Sequence, residues 1–216
     1  MSMKAVQVAI VNDYELVVVG VAAMLEAYRG RVEVVELDSN LPVLQPVDVI
    51  LYDTFGQAQG NGIDVPTLVG EHRGKVVVYS WNLQPELVQQ SLAAGAAGYV
   101  SKGADAKELA LAIERVHAGE LVLPEGDGYS EPQAEATYPG EGSGLTVREA
   151  EIIALITQGL SNREIAERCF LSINSVKTYI RTAYRKMQVE RRSQAVLWGI
   201  EHGFQPDVVR YVDRRR

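Results

Sequence analysis

Within the first 120 residues, short apolar runs alternate with stretches of helical character, and few folds accommodate that rhythm. The runs are "AVQVAIV" (5–11), "VEVVEL" (32–37), "VDVILY" (47–52), "KVVVYS" (75–80) and the shorter "AGYVS" (97–101). They are rich in β-branched residues and poor in charge, as strands covered on both faces are. The segments between them carry helix signals. "ELVVVGVAAMLEAY" (15–28) ends near Gly30. "NLQPELVQQSLAAG" offers Asn82 as a cap, Pro85 in the first turn and Gly95 as a stop. "ADAKELALAIERVHAG" places Asp105 three residues before Glu108, the capping-box spacing, and stops at Gly119. Strands alternating with helices predict an α/β domain over residues 1–120, a parallel sheet with helices on both faces. "SNLPVLQPV" breaks the rhythm, being too short and too Pro-rich for a normal second helix.

Residues 121–143 read as a linker. The stretch "PEGDGYSEPQAEATYPGEGSG" holds three Pro and five Gly, several acids and no base. Residues 144–216 read as all helical. "TVREAEIIALITQG" begins with Thr146 and Glu149 in capping-box spacing, and "SNREIAERCF" repeats the device with Ser161 and Glu164. Ser172 can cap a third helix, and "RSQAVLWGIEHG" makes a fourth, ending near Gly203. Short connections pack such helices tightly.

Charge divides the chain at the same place. Residues 1–143 hold 8 Lys and Arg against 20 Asp and Glu, a net of -12; residues 144–216 hold 13 against 8, a net of +5. That asymmetry points to two domains with different partners, the basic one facing nucleic acid. A single cysteine, Cys169, excludes an intrachain disulfide and fits a reducing compartment. The longest early apolar stretch, "LVVVGVAAML", has ten residues, too few to span a bilayer. No targeting segment is evident, so a cytoplasmic setting without a membrane partner is expected.

A short helix, a tight turn and a second helix form the helix-turn-helix plan, whose second helix enters the major groove. Here the second helix is "INSVKTYIRTAYRKM". Val176, Ile180, Ala183 and Met187 line one face and suit a core. Lys177, Arg181 and Arg185 sit four apart on another face and suit phosphates and base edges. In the first domain, polar groups close the apolar runs: Asp13, Asp53, Ser80 and Lys102. In a parallel sheet such positions converge on one crevice beyond the carboxyl ends of the strands. Two carboxylates, a hydroxyl and an ammonium suit phosphoryl transfer to a carboxylate. Asp53 can be the nucleophile, Asp13 and Asp53 can hold Mg²⁺, and Lys102 and Ser80 can hold the phosphoryl oxygens.

The segment "LTVREAEIIALITQGLSNREIAERCFLSINSVKTYIRTAYRKM" resembles the LuxR/NarL-type helix-turn-helix over residues 145–203. The resemblance implies that Lys177, Thr178 and Arg181 read base edges while Ser175 and Tyr179 lie near the DNA backbone. Family members commonly carry Thr and His at those last two positions. It also implies that the last helix, around Ala195, Val196 and Trp198, can dimerise. The tail "RYVDRRR" reads as a solvated end. The order Asp13, Asp53, Ser80, Lys102 resembles the receiver domain of response regulators over residues 4–119. That resemblance implies a flavodoxin-like five-stranded fold and a histidine kinase that phosphorylates Asp53. It also implies that Ser80 moves toward the phosphoryl group and that Tyr99 turns inward as a switch aromatic. A receiver, a linker and a LuxR-type domain together form the NarL/FixJ architecture.

Two departures stand out. Receivers usually have two acids where this chain has Asn12 and Asp13, so Mg²⁺ binding should be weaker, with Asn12 offering a carbonyl oxygen or holding a metal water. The loop "TFGQAQGNGIDVPTL" also lacks the Met-Pro and Asp-Gly usual after the acceptor. The leading expectation is therefore a phosphorylation-controlled, dimeric transcriptional regulator. Its unphosphorylated receiver would occlude the DNA-binding helices or keep them monomeric. The other reading is an atypical regulator whose receiver works without phosphorylation, as a dimerisation or ligand-sensing module. An enzyme is not expected: an aspartate-nucleophile phosphatase would need a second Asp where Phe55 stands.

Overall fold

The structure is a computed structural model that describes residues 4–38, 43–70, 74–125 and 138–205, with the backbone of 210–212. In chain order the first domain runs β1 (Val6–Val11), α1 (Glu15–Leu25), β2 (Val32–Asp38), β3 (Val49–Asp53), α2 (Val65–Val69), β4 (Lys75–Ser80), α3 (Pro85–Ala93), β5 (Gly98–Ser101) and α4 (Ala106–His117). The five strands are parallel in the order β5-β4-β3-β1-β2. This is the flavodoxin-like arrangement. Residues 39–42 of "SNLPVLQPV" lie outside the described residues, and the described residues 43–48 between β2 and β3 form no helix.

Alternation along the strands splits the core into two layers. Val8, Ile10, Leu51, Val77 and Tyr79 face α1 and α4. Ala9, Val11, Ile50, Tyr52, Val76 and Val78 pack with Val65 of α2 and Val88 of α3. The order reverses between β1 and β3, because one chain direction leads to β2 and the other to β4 and β5. The carboxyl ends of β1 and β3 therefore border the crevice where such sheets bind ligands.

The second domain is α5 (Val147–Thr157), α6 (Asn162–Cys169), α7 (Ile173–Met187) and α8 (Arg192–Glu201). Its helix starts are set by the residues that the sequence singles out. Thr146 with Glu149 and Ser161 with Glu164 form reciprocal capping boxes, and Ser172 accepts from the Ser175 N–H. Asp105 and Glu108 do the same for α4. Asn82 is not a cap: Gln84 stands at that position of α3, with Pro85 inside the helix, and the Asn82 side chain accepts from the Gln84 N–H.

The expected linker is not uniform. Val122 pairs with Gly98 beside β5, and Tyr138 packs against the helical core with its hydroxyl donating to Leu145 O. The tail differs more. Residues Arg210–Val212 form β6, antiparallel to β2 at the outer edge of the first domain's sheet. Three residues expected to be solvated thus supply backbone partners to an edge strand that would otherwise show unpaired N–H and C=O groups. Residues 213–216 of the tail lie outside the described residues.

The two domains pack against each other. Ten consecutive residues of α5, Val147 to Ile156, are buried, including Arg148, Glu149 and Glu151. An amphipathic helix buries one face; α5 buries all of them because the first domain covers the side turned away from the helical core.

Candidate functional site

The sheet brings Asp53, Ser80 and Lys102 together as the sequence predicts. Asp53 ends β3, Ser80 ends β4, and Lys102 follows β5. The Asp53 carboxylate is buried and held through one oxygen. Its Oδ1 accepts from Lys102 Nζ at 2.6 Å, from the Phe55 N–H at 2.8 Å and from Asn12 Nδ2 at 3.3 Å. Its Oδ2 has no hydrogen-bond partner among the described residues. One oxygen fixes the carboxylate, and the other is buried without a hydrogen bond. The Lys102 ammonium also lies 5.8 Å from the Phe55 ring centroid and 5.6 Å from that of Tyr79, which helps a cation that has little contact with water. Asp53 and Lys102 line a cavity of about 280 Å³ with Phe55, Tyr79, Trp81 and Tyr138.

Asn12 is engaged through both ends of its amide. Its carbonyl oxygen accepts from the Tyr14 N–H at 2.9 Å, and its amide nitrogen donates to Asp53 O and Phe55 O as well as to Asp53 Oδ1. Acceptors on one side and a donor on the other fix the amide orientation. Asn12 ties the ends of β1 and β3 together through its amide nitrogen, and its carbonyl oxygen is engaged by the Tyr14 N–H. Asp13 follows it in the chain. Burial raises its pKa above the ordinary carboxylate value, against the lowering effects of a hydrogen bond from Gln57 and of the Arg168 charge in α6. A carboxylate short of solvation and a second one with an unpartnered oxygen fit a hard cation such as Mg²⁺, which needs few protein ligands. Asp13 and Asp53 would be that pair.

The Ser80 hydroxyl is engaged by neighbours other than the Asp53 carboxylate. Its Oγ accepts from Thr54 Oγ1 at 2.8 Å and from the Asn82 N–H at 3.1 Å. Tyr99 is fully buried already, and its hydroxyl donates to Asn82 O at 2.5 Å. Burial pushes that phenol up to about 12, so it stays a donor at neutral pH. Tyr99 is thus turned inward in this structure.

In the second domain, α7 buries Val176, Ala183 and Met187 and exposes Lys177, Thr178, Arg181 and Arg185. Ile180 and Tyr179 are half-buried against the core. Ser175 sits in the first turn, its hydroxyl 2.8 Å from that of Ser172. Docking of the first domain leaves the basic face of α7 open. It covers α5 and the end of α6, so of the DNA-binding helices the first is partly covered and the basic face of the second is exposed. Sequence reasoning missed the residues that make this interface. Gln158 Nε2 donates to Tyr14 OH and Gly56 O, Gln59 Nε2 to Glu151 Oε1, and Asn82 Nδ2 to Cys169 O. Arg148 closes the network with a 2.6 Å ion pair to Glu151. Tyr14, Val17 and Phe55 of the first domain belong to the same apolar cluster as α5.

Comparison with known proteins agrees with both halves. Residues 143–198 match the family described as bacterial regulatory proteins, luxR family. The transcriptional regulatory protein LiaR of Bacillus subtilis is 32% identical over 205 residues, which cover 89% of this chain and 96% of LiaR. This chain belongs to the LuxR-type response regulators. The response regulator protein VraR of Staphylococcus aureus is 29% identical over 211 residues, covering 91% of this chain and 97% of VraR. Among solved structures, the response regulator ChrA of a heme-sensing two-component system covers 94% of this chain at 23% identity and a TM-score of 0.44. As a LuxR-type response regulator the chain carries a receiver domain ahead of its helix-turn-helix. No described helix is long and apolar enough to cross a membrane.

Proposed function

We propose that this chain is a cytoplasmic transcriptional regulator of a two-component system. A histidine kinase supplies a phosphoryl group, Asp53 accepts it, and the modified receiver alters DNA binding by the helix-turn-helix. The observation that carries the reading is the Asp53 carboxylate, anchored through Oδ1 and unpartnered at Oδ2. In the transfer, Asp53 Oδ2 forms a bond to phosphorus as the bond from phosphorus to the donor's nitrogen or oxygen breaks, and the donor leaves with that electron pair. Lys102 then has a second anion within reach and can pair with the phosphoryl oxygens. Mg²⁺ held by Asp13 and Asp53 would neutralise charge on the transferring group.

On DNA, Lys177, Thr178 and Arg181 would face base edges, and Ser175, Tyr179 and Arg185 the phosphates. Ala195 is buried, and Val196 and Trp198 pack against the helical core, so a homodimer through α8 would use the exposed Leu197 and Ile200 instead and would require two half-sites about one helical turn apart. The relatives named above are regulators rather than enzymes, in keeping with a protein that binds and switches. Their likeness along nearly the whole chain favours this reading over a receiver that works without phosphorylation. The test is the intact mass after incubation with Mg²⁺ and acetyl phosphate, beside Asp53→Asn. One phosphoryl adduct on the wild type alone supports the assignment; an adduct on both proteins places the acceptor elsewhere.

A further inference from the structure

Between the reactive carboxylate and the docked helix-turn-helix stands one residue that touches both sides. Asn82 is buried in the loop between β4 and α3. Its N–H donates to Ser80 Oγ, and its carbonyl accepts from Tyr99 OH. Its side-chain amide donates to Cys169 O at 3.4 Å. Cys169 is the last residue of α6, and the final carbonyls of a helix lack intrahelical partners. The next residue, Phe170, takes a left-handed conformation (φ 54°) that turns the chain toward α7. The edge of its ring lies 3.2 Å from where a Cβ on Gly60 would stand, so the glycine leaves the seat for the ring. The receiver thus grips the turn of the helix-turn-helix at two points, Gly60 and Asn82.

We infer that Asn82 is a positioning residue that couples the Ser80 and Tyr99 switch to the docked turn at Cys169 and Phe170. The inference rests on the reading of Asp53 as the phosphoacceptor. The Ser80 hydroxyl accepts from Thr54 and Asn82 in the unmodified protein. To reach a phosphoryl group on Asp53 it must give up those partners, which frees the Asn82 backbone. The contact to Cys169 O is near the upper limit of a hydrogen bond, so a small shift of that loop breaks it. Because the basic face of α7 is open in the docked state, the grip acts on where α7 points, not on whether it is covered.

Asn82→Ala tests the link. It retains the N–H to Ser80 and the carbonyl to Tyr99 and removes the side-chain bonds to Cys169 O and from the Gln84 N–H, the second of which Asn82→Asp keeps. Hydrogen exchange and DNA titration of the full chain, with and without acetyl phosphate, read the result. In the unphosphorylated variant, amides of α5 and α6 should exchange faster while β1, β3 and β4 keep their protection. DNA affinity should rise about 2- to 10-fold, the worth of one buried hydrogen bond. The further gain on phosphorylation should shrink by the same factor, with the same yield of adduct. Asn82→Asp, which sets an acceptor against Cys169 O, should open the interface at least as far. Wild-type exchange in α5 and α6 and wild-type DNA affinity in both variants would overturn the inference. A uniform loss of protection in both domains would do so too, because it marks a structural role only. If the wild type takes no phosphoryl group, the phosphoacceptor reading fails by itself. The exchange difference in the unmodified protein still decides whether Asn82 holds the turn.

Discussion

Replacing Lys102 with Met should weaken the receiver domain by about 3 kcal/mol. The Lys102 and Asp53 side chains are 7% and 0% exposed and meet at 2.6 Å. Removing one partner of a buried pair costs roughly 3–5 kcal/mol, because the remaining charge is left without compensation. The lower end applies here, since Asp53 Oδ1 keeps the Phe55 N–H and the Asn12 amide. With a urea dependence of about 1–3 kcal/mol/M, the unfolding midpoint should fall by roughly 1–3 M. A domain with a total stability of about 5–15 kcal/mol survives that loss. The double variant Asp53→Asn with Lys102→Met removes both charges and should cost about 2 kcal/mol less than the two single changes together. Urea titration followed by circular dichroism measures all four proteins. A loss below about 1 kcal/mol for Lys102→Met, or simple additivity in the double variant, would refute a buried, mutually dependent pair.

Three further outcomes follow from the geometry. Lys177→Ala and Arg181→Ala should each weaken DNA binding and alter sequence preference; a lost phosphate contact would lower the salt slope by about 1 per subunit, and an unchanged binding isotherm would remove α7 from the groove. Glu149 is buried, which raises its pKa, but Lys186 at 2.6 Å and the backbone of Thr146 hold it below the ordinary carboxylate value. A depressed carboxyl stabilises the fold above its unfolded pKa and loses that effect as pH falls through the folded one. The gap between wild type and Glu149→Gln, about 1–2 kcal/mol at pH 7, should therefore close on acidification below about 4.5, and a gap that widens would reverse the assignment. Deleting residues 206–216 should speed amide exchange at Glu36 and Leu37 of β2, which β6 covers. Unchanged exchange there would mean that the tail does not pair with the sheet.

What the sequence discloses follows physical scale. The central strands β1, β3 and β4 are legible because they are buried on both faces and read as apolar runs, and the edge strand β2 keeps enough Val and Leu to be read despite Glu33 and Glu36. Helix starts are legible because Thr146, Ser161 and Asp105 act on neighbours three residues away. Asp53 and Lys102 can be paired from sequence because parallel strands deliver their ends to one place. What joins distant segments leaves no such trace. Nothing local marks Arg148 and Glu151 as buried, because the receiver segments that cover them lie far back in the chain, Gln59 being 92 positions from Glu151. Asn82 looks like a cap, since its contacts to Tyr99 and Cys169 span 17 and 87 positions. Asn12 gives no sign in the sequence that its amide nitrogen bonds the backbone of Asp53 and Phe55, 41 and 43 positions away. The tail reads as loose because its partner, the edge of β2, lies at the other end of the chain.

The central claim is that the state of Asp53 governs the helix-turn-helix. The most direct measurement is the DNA affinity of the intact protein before and after phosphorylation, with the adduct verified by mass and Asp53→Asn as control. The account predicts tighter binding by the phosphorylated wild type and no response from the variant. Equal affinity in both states, with the adduct present, would contradict it.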